Sequence, residues 1–92
     1  MSKEAQNNEW KESWHSDNFK CICGFANAQG GTLFIGKDDD GNVKHLVNAS
    51  KLLEDIPNQV RDLLGLMVDV NLHTEGGNDY LEIVVEPQPQ GI

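Results

Sequence analysis

The hydrophobic positions in the first third of the chain predict a helix. Between residues 19 and 26, apolar side chains recur at the i, i+3, i+4 and i+7 spacing of an amphipathic helix. The positions are Phe19, Ile22, Cys23 and Ala26. Ser16 or Asp17 offers an N-cap, and Gly30 with Gly31 supplies the left-handed backbone with which helices commonly end. Gly24, costly inside a helix, predicts a close approach to another element.

Patterns typical of strands flank this helix. Charged and aromatic residues alternate over residues 8–14, which predicts a short strand with Trp10 and Trp14 on one face. Thr32–Gly36 is an almost continuous apolar run, which predicts a central strand buried on both faces. After a turn, residues 43–46 (Val43 to Leu46) are predicted to form the second strand of a hairpin.

The second half of the chain predicts another helix and a second hairpin. The helix runs from about residue 51 to residue 64, is capped by Asn48 or Ser50, and is expected to break or reset at Pro57. Apolar and polar residues then alternate over residues 68–73 and again over 81–85, with turn residues between them. The predicted fold class is α+β: a mixed or antiparallel sheet with two helices on one face, in the order β-α-β-β-α-β-β. We expect residues 1–92 to form a single domain.

Charge and composition limit the possible functions. Seven Lys and Arg residues stand against fifteen Asp and Glu residues, a net charge of −8, so any phosphate binding needs a local basic patch. No apolar run reaches the length of a membrane span, so we expect a cytoplasmic protein that does not bind membranes. Cys21 and Cys23 form a C-x-C pair, which fits neither a four-ligand zinc site nor a C-x-x-C redox motif. We expect both thiols to be reduced.

Acidic residues provide the one candidate for metal chemistry. Asp38, Asp39 and Asp40 lie in the turn after the central strand, and Glu4, Glu9 and Glu12 could join them if the first strand pairs beside it. Three converging carboxylates would bind Mg²⁺ or Mn²⁺, because hard cations prefer oxygen ligands. The same residues also fit a solvent-exposed turn and ordinary surface charges, so both interpretations stay open.

The order of motifs resembles the Schlafen-type Alba-like domain. The residues that carry the resemblance are Glu9-Trp10-Lys11, then F-A-N-A-Q-G-G-T-L-F-I-G over residues 25–36, then D-D-D-G over residues 38–41. Six residues of this pattern are expected to have architectural roles: Phe25, Ala26, Asn27, Gly30, Gly31 and Gly36.

The resemblance implies a nucleic-acid-binding domain at the N-terminus of a bacterial transcriptional regulator. A first alternative is a metal-dependent RNA nuclease, in which Glu4, Glu9 and Asp38 would be catalytic and Glu9 and Asp38 would hold Mg²⁺ or Mn²⁺. Asp39 is the alternative to Asp38 at the third position. No cofactor is expected otherwise. A second alternative is an interaction and assembly module that does not itself bind nucleic acid.

The same resemblance suggests partners. DNA or RNA would be contacted by four lysines: Lys11, Lys20, Lys37 and Lys44. Similarity to Alba proteins suggests a homodimer, and we expect residues 85–87 to leave an exposed strand edge that recruits a partner. Further domains of the same polypeptide would follow the domain.

Overall fold

The computed structural model describes residues 7–88, which form an α+β fold. The elements are β1 (Asn8–Lys11), α1 (Asn18–Ala26), β2 (Gly31–Ile35), α2 (Ala49–Leu64), β3 (Asp69–Glu75) and β4 (Asn78–Val85). The predicted α+β class, with a mixed sheet and two helices, is confirmed.

The four strands of the described residues form one sheet in the order β1-β2-β4-β3. β1 and β2 are parallel, while β2 with β4 and β4 with β3 are antiparallel. The expectation of an exposed edge at residues 85–87 is wrong at Val85, which pairs with Gly31 inside the sheet. The edge strands are β1 and β3, because the chain returns from β3 by a hairpin that inserts β4 beside β2.

The β3–β4 hairpin has the turn its sequence predicts. Gly76 and Gly77 both have positive φ, 61° and 81°. A two-residue turn of this kind matches the twist of antiparallel strands, and glycine adopts it without steric cost. The turn sets a register in which Leu72 pairs with Leu81, so alternate residues of both strands share a face.

Both helices pack on one face of the sheet. The sheet contributes Leu33 and Ile35 from β2 and Leu81 from β4, all fully buried. Ile22 of α1 and Ile56 of α2 are buried against them in the same cluster. Burying each such side chain contributes about 1.5–3 kcal/mol, so this layer dominates the stability of the fold.

The face of β2 opposite the helices is less buried than the sequence predicted. Thr32 and Phe34 are only half-buried, so β2 is central in the sheet but is not buried on both faces. The apolar residue Phe34 made the run look continuous, although it points away from the helices. Trp10 and Trp14 also do not share a strand face, because β1 ends at Lys11 and the Trp14 indole contacts Phe19 of α1.

The predicted strand Val43 to Leu46 does not form. Only a single bridge joins Val43 to Lys37, and the Leu46 N–H donates to the carbonyl of Asp79 at 3.1 Å. The N–H of Lys44 donates to the Gly36 carbonyl at 2.6 Å. This segment therefore takes its backbone partners from Gly36, just after β2, and from Asp79 of β4 rather than from one adjacent strand.

Three expectations about the helices also need correction. α2 runs through Pro57 without interruption, because a proline removes one backbone hydrogen bond while Ile56 and Val60 remain fully buried. α1 ends at Ala26 with a right-handed C-cap at Asn27, and the left-handed residue is Gly30, in the following loop. A Cβ on Gly24 would meet no atom within 4 Å, so no element approaches it closely.

Within residues 7–88, neither helix has the length and apolar character required to cross a membrane.

Candidate nucleic-acid interface

Aromatic side chains lie on the sheet face opposite the two helices. In the register of the sheet, Trp10 of β1 pairs with Phe34 of β2, and His73 of β3 pairs with Tyr80 of β4. Paired residues project from the same face, and Tyr80 points away from the helices because its neighbour Leu81 is buried against them. The ring centroids are 6.3 Å apart for Phe34 and Tyr80 and 5.2 Å apart for His73 and Tyr80. We call these four residues the aromatic face.

Lys37 lies over the centre of the aromatic face. Its Nζ is 4.7 Å from the ring centroid of Phe34 and 4.5 Å from that of Tyr80. The two ring planes are inclined by 55°, and the ammonium is placed where the negative ring faces attract it. Gly36 makes this placement possible, because its φ of 105° turns the chain and a Cβ there would lie 3.0 Å from the Cβ of Tyr80.

Polar side chains of β3 and β4 lie beside the aromatic rings and form hydrogen bonds with one another. Glu82 Oε1 lies 3.0 Å from His73 Nε2, and the side-chain amide of Asn71 donates to the same oxygen at 3.4 Å. The His73 ring stacks on Tyr80 with the planes inclined by 26°. Burial, followed by the charges of Glu75 and Glu82, raises the pKa of the Tyr80 hydroxyl, so this phenol stays neutral at physiological pH.

Two of the four lysines predicted to contact phosphate form ion pairs with carboxylates. Lys11 Nζ is 3.8 Å from Glu9, and Lys44 Nζ is 3.9 Å from Asp38. Lys20 lies exposed on α1. Within the described part of the chain, neither Lys20 nor Lys37 forms an ion pair. Exposed pairs contribute only about 0–1 kcal/mol, so a phosphate could replace either carboxylate.

Asp38, a candidate metal ligand, organises its own turn. Its Oδ1 accepts the backbone N–H groups of Asp40 at 2.9 Å and Asn42 at 3.0 Å. The hydrogen bond from Asn42 is the largest cause that lowers the pKa of the Asp38 carboxyl, and Lys44 adds a smaller contribution. Gly41 in the same turn lies against Trp10, whose Cη2 would be 3.1 Å from a Cβ at that position.

Glu9, the second candidate ligand, lies on the helix side of β1. It pairs in register with the buried Leu33, and its charge acts on Cys21 of α1. Burial, the charge of Glu9 and a smaller opposing effect of Lys11 together raise the pKa of the Cys21 thiol to about 11. Both cysteines are free thiols. Glu9 is thus oriented toward α1, whereas Asp38 belongs to the turn after β2.

The predicted catalytic triad stays a prediction. Glu4 lies outside the described residues, and within residues 7–88 no three His, Cys, Asp or Glu side chains come together in a way that could hold a metal ion. The described residues therefore do not form a metal site by themselves. Glu9 and Asp38 would have to leave their lysine partners to do so.

The loop between α1 and β2 lines a separate cleft of about 260 Å³. Its walls are formed by Asn7, Phe25, Ala28, Gln29 and Gly30. The N–H of Gly30 donates to the Phe25 carbonyl at 2.8 Å, so the backbone polar groups of this loop are engaged in holding the reversal. A Cβ on Gly30 would lie 2.7 Å from the carbonyl oxygen of Val85, which shows how tightly the loop packs on β4.

Phe34 and Tyr80 were not among the residues singled out in the sequence. A signal for Tyr80 was present, since Leu81, Ile83 and Val85 alternate and therefore place Tyr80 on the other face. For Phe34 the continuous apolar run hid the alternation. Only the register with β4 brings the two rings together.

The sequence places the chain in a known protein family. The chain belongs to the Schlafen, AlbA_2 family, whose sequence profile matches residues 4–92. This confirms the resemblance found in the motifs. No curated protein is significantly similar in sequence.

Solved structures with low sequence identity share the fold. One is the N-terminal domain of a protein from Nitrosomonas europaea that is named as related to the ATP-dependent DNA helicase RecG. It has a TM-score of 0.76 at 24% identity. That match covers 95% of this chain and 66% of the other. The DIP2311 protein from Corynebacterium diphtheriae also has a TM-score of 0.76, at 16% identity, and the match covers 97% of this chain and 19% of that protein. The chain thus spans less than two thirds of each.

Proposed function

We propose that the chain is a nucleic-acid-binding domain that acts as the N-terminal module of a bacterial transcriptional regulator. Membership of the Schlafen, AlbA_2 family supports this, as does the likeness to the N-terminal domain of a protein related to a DNA helicase. The observation that carries the proposal is Lys37, a cation with no carboxylate partner among the described residues, placed over two rings on the sheet face opposite the helices. Further domains of the regulator and a cytoplasmic location are part of the same proposal.

The net charge decides how such binding would work. At −8 the chain as a whole repels phosphate, so binding depends on a local site rather than on long-range attraction. Four of the six described cations are paired with carboxylates: Lys11, Lys44, Lys51 and Arg61. Lys20 and Lys37 are the two that are not. They lie in different layers, since Lys20 is on a helix and Lys37 is on the opposite face of the sheet.

Fluorescence anisotropy with labelled DNA and RNA tests the proposal. We expect binding at about 50 mM salt that weakens toward about 200 mM. Lys37→Ala should weaken it. Lys51→Ala is the matched control, because Lys51 is an exposed lysine on α2 that pairs with Asp55. The absence of binding to any DNA or RNA at the lower salt concentration would contradict the proposal.

A second candidate function, assembly through a homodimer, is favoured by exposed apolar side chains. Leu63 is 66% exposed and Met67 is 79% exposed, and both lie where α2 leads into the edge strand β3. Exposed strand edges recruit further strands. We propose pairing of two copies along β3. Light scattering over a concentration series should then show a dimer that Met67→Lys converts to a monomer, whereas Val47→Lys, at an exposed site before α2, should not. A monomer at every concentration would contradict this proposal.

A further inference from the structure

We propose that the aromatic face binds single-stranded nucleic acid by stacking unpaired bases on Phe34 and Tyr80. The inference rests on the proposed nucleic-acid function and names its substrate class and its site. The two rings stand on the two central strands of a four-stranded sheet, and both helices lie on the other side. In the RNA-recognition motif, aromatic side chains on a four-stranded sheet stack splayed bases in this way.

The rings lie close together across the central strands. Phe34 and Tyr80 have centroids 6.3 Å apart, and the His73 ring stacks on Tyr80 at 5.2 Å, so a base that stacks on Tyr80 uses the ring face that His73 leaves open. Trp10 pairs with Phe34 in register, but its ring also lies against Gly41 of the turn after β2. Phe34 and Tyr80 are therefore the two rings on which we propose that bases stack.

Lys37 has a specific role in this site. In the structure its ammonium covers Phe34 and Tyr80. Stacking of a base on an aromatic ring is stronger than an exposed cation–π contact, so a base can displace the ammonium. The lysine side chain is long enough to move from the ring faces to the phosphate that follows the stacked base. The face therefore supplies both a stacking surface and a cation for the backbone.

By the alternation of β3 and β4, three acidic residues lie on this face: Asp69, Glu75 and Glu82. Glu82 is the one beside Phe34, and it is already engaged. Glu82 pairs in register with Phe34, but its Oε1 lies 3.0 Å from His73 Nε2 and accepts a hydrogen bond from Asn71. The carboxylate is thereby held toward β3 rather than over the ring of Phe34.

Duplex DNA fits this face less well. A major groove admits a helix or a two-stranded ribbon, not the face of a four-stranded sheet. Paired bases also keep their faces inside the stack, so they have none to offer to Phe34 and Tyr80. A body with a net charge of −8 and one available lysine on this face gains little from phosphates alone.

Anisotropy with labelled single strands of about 12 nucleotides and with the matching duplexes tests the inference. We expect single strands to bind more tightly than duplexes, and Phe34→Leu and Tyr80→Leu each to weaken single-strand binding by about tenfold or more. Phe34→Tyr and Tyr80→Phe keep the rings and should retain binding. Phe19→Leu removes a ring that packs on Trp14, on the helix side, and should have no effect. Thermal unfolding of every variant shows whether the fold is intact.

The outcomes distinguish the stacking site from nucleic-acid binding as such. Duplex binding as tight as single-strand binding, or single-strand binding that survives both leucine substitutions, would overturn the stacking site and leave nucleic-acid binding standing. The absence of binding to single strands and duplexes alike would overturn both. Salt dependence adds a second readout, because one neutralised phosphate gives a slope of about −0.7 in log K against log salt, and Lys37→Ala should flatten it.

Discussion

Gly31 lies directly against the ring of Phe25: a Cβ added to Gly31 would come within 2.5 Å of the Cδ1 atom of that ring. Phe25 belongs to the last turn of α1, and Gly31 is the first residue of β2. The second glycine of the F-A-N-A-Q-G-G motif is therefore needed because any side chain there would collide with the Phe25 ring. The first, Gly30, has a positive φ of 83° and is required by conformation.

This contact predicts opposite effects for two alanine substitutions. Gly31→Ala should lower the free energy of unfolding by about 1–3 kcal/mol, because the methyl group overlaps Phe25 and the carbonyl oxygen of Asn7. Gly24→Ala should raise it by about 1 kcal/mol, since Gly24 lies inside α1 with no atom near its Cβ position. Urea unfolding of the two variants beside the unsubstituted protein checks both signs. Equal effects of the two substitutions would contradict the packing described here.

Local patterns predicted the elements better than their arrangement. The spacing of Phe19, Ile22 and Ala26 located α1, and alternation located β3 and β4, although β3 ends two residues later and β4 begins three residues earlier than predicted. Strand order depends on which edge of β2 accepts β4, and no short-range pattern records that choice. The expected exposed edge at Val85 was wrong for this reason.

The candidate site was harder to predict because it depends on register. Phe34 and Tyr80 are 46 positions apart in the chain, and only the pairing of Ile35 with Leu81 brings their rings together. Lys37 was predicted to contact phosphate, but its position over the two rings follows from the turn at Gly36. The residue type of Lys37 was enough to suggest a phosphate contact, whereas its position beside Phe34 and Tyr80 depends on strand pairing.

The turn at Asp38 predicts a pH-dependent contribution to stability. The folded state lowers the pKa of this carboxyl below its ordinary 3.8, so its stabilising effect is present above that value and is lost as pH falls through the folded pKa. Asp38→Asn should unfold at a lower urea concentration than the unsubstituted protein near neutral pH, and the difference should shrink in acid. Urea unfolding over a series of pH values measures this.

A second variant separates the causes of that shift. The hydrogen bond from the Asn42 N–H is the largest cause of the lowered pKa, and the charge of Lys44 contributes least. Lys44→Ala should therefore leave most of the lowering in place. An NMR titration in which the pKa of Asp38 returns to 3.8 in Lys44→Ala would show that the ion pair, and not the turn, controls this carboxyl.

Cys21 provides a test of where Glu9 points. With the pKa of the thiol raised from 9.0 to about 11, its thiolate fraction at pH 8 falls by about 100-fold, and alkylation slows accordingly. Glu9→Gln removes one cause of the increase and should accelerate the reaction. Mass spectrometry of iodoacetamide-treated protein, with the denatured chain as reference, follows Cys21 separately from Cys23. An unchanged rate in Glu9→Gln would place the carboxylate away from α1.

The metal-dependent nuclease alternative can be tested by RNA cleavage. If Glu9 and Asp38 share a divalent cation with Glu4, RNA should be cleaved in the presence of Mn²⁺, and both Glu9→Gln and Asp38→Asn should abolish cleavage, because one carboxylate alone holds such an ion poorly. Glu54→Gln, at an exposed glutamate of α2, is the matched control and should leave cleavage unchanged.

Mg²⁺ gives a readout that does not depend on RNA: a cation at Glu9 would offset the charge that raises the pKa of Cys21 and would speed its alkylation. Asp38→Asn should remove that acceleration if the two acids act together. Cleavage that survives both substitutions, or no cleavage at all, would mean that Glu9 serves only its pair with Lys11 and Asp38 only its turn.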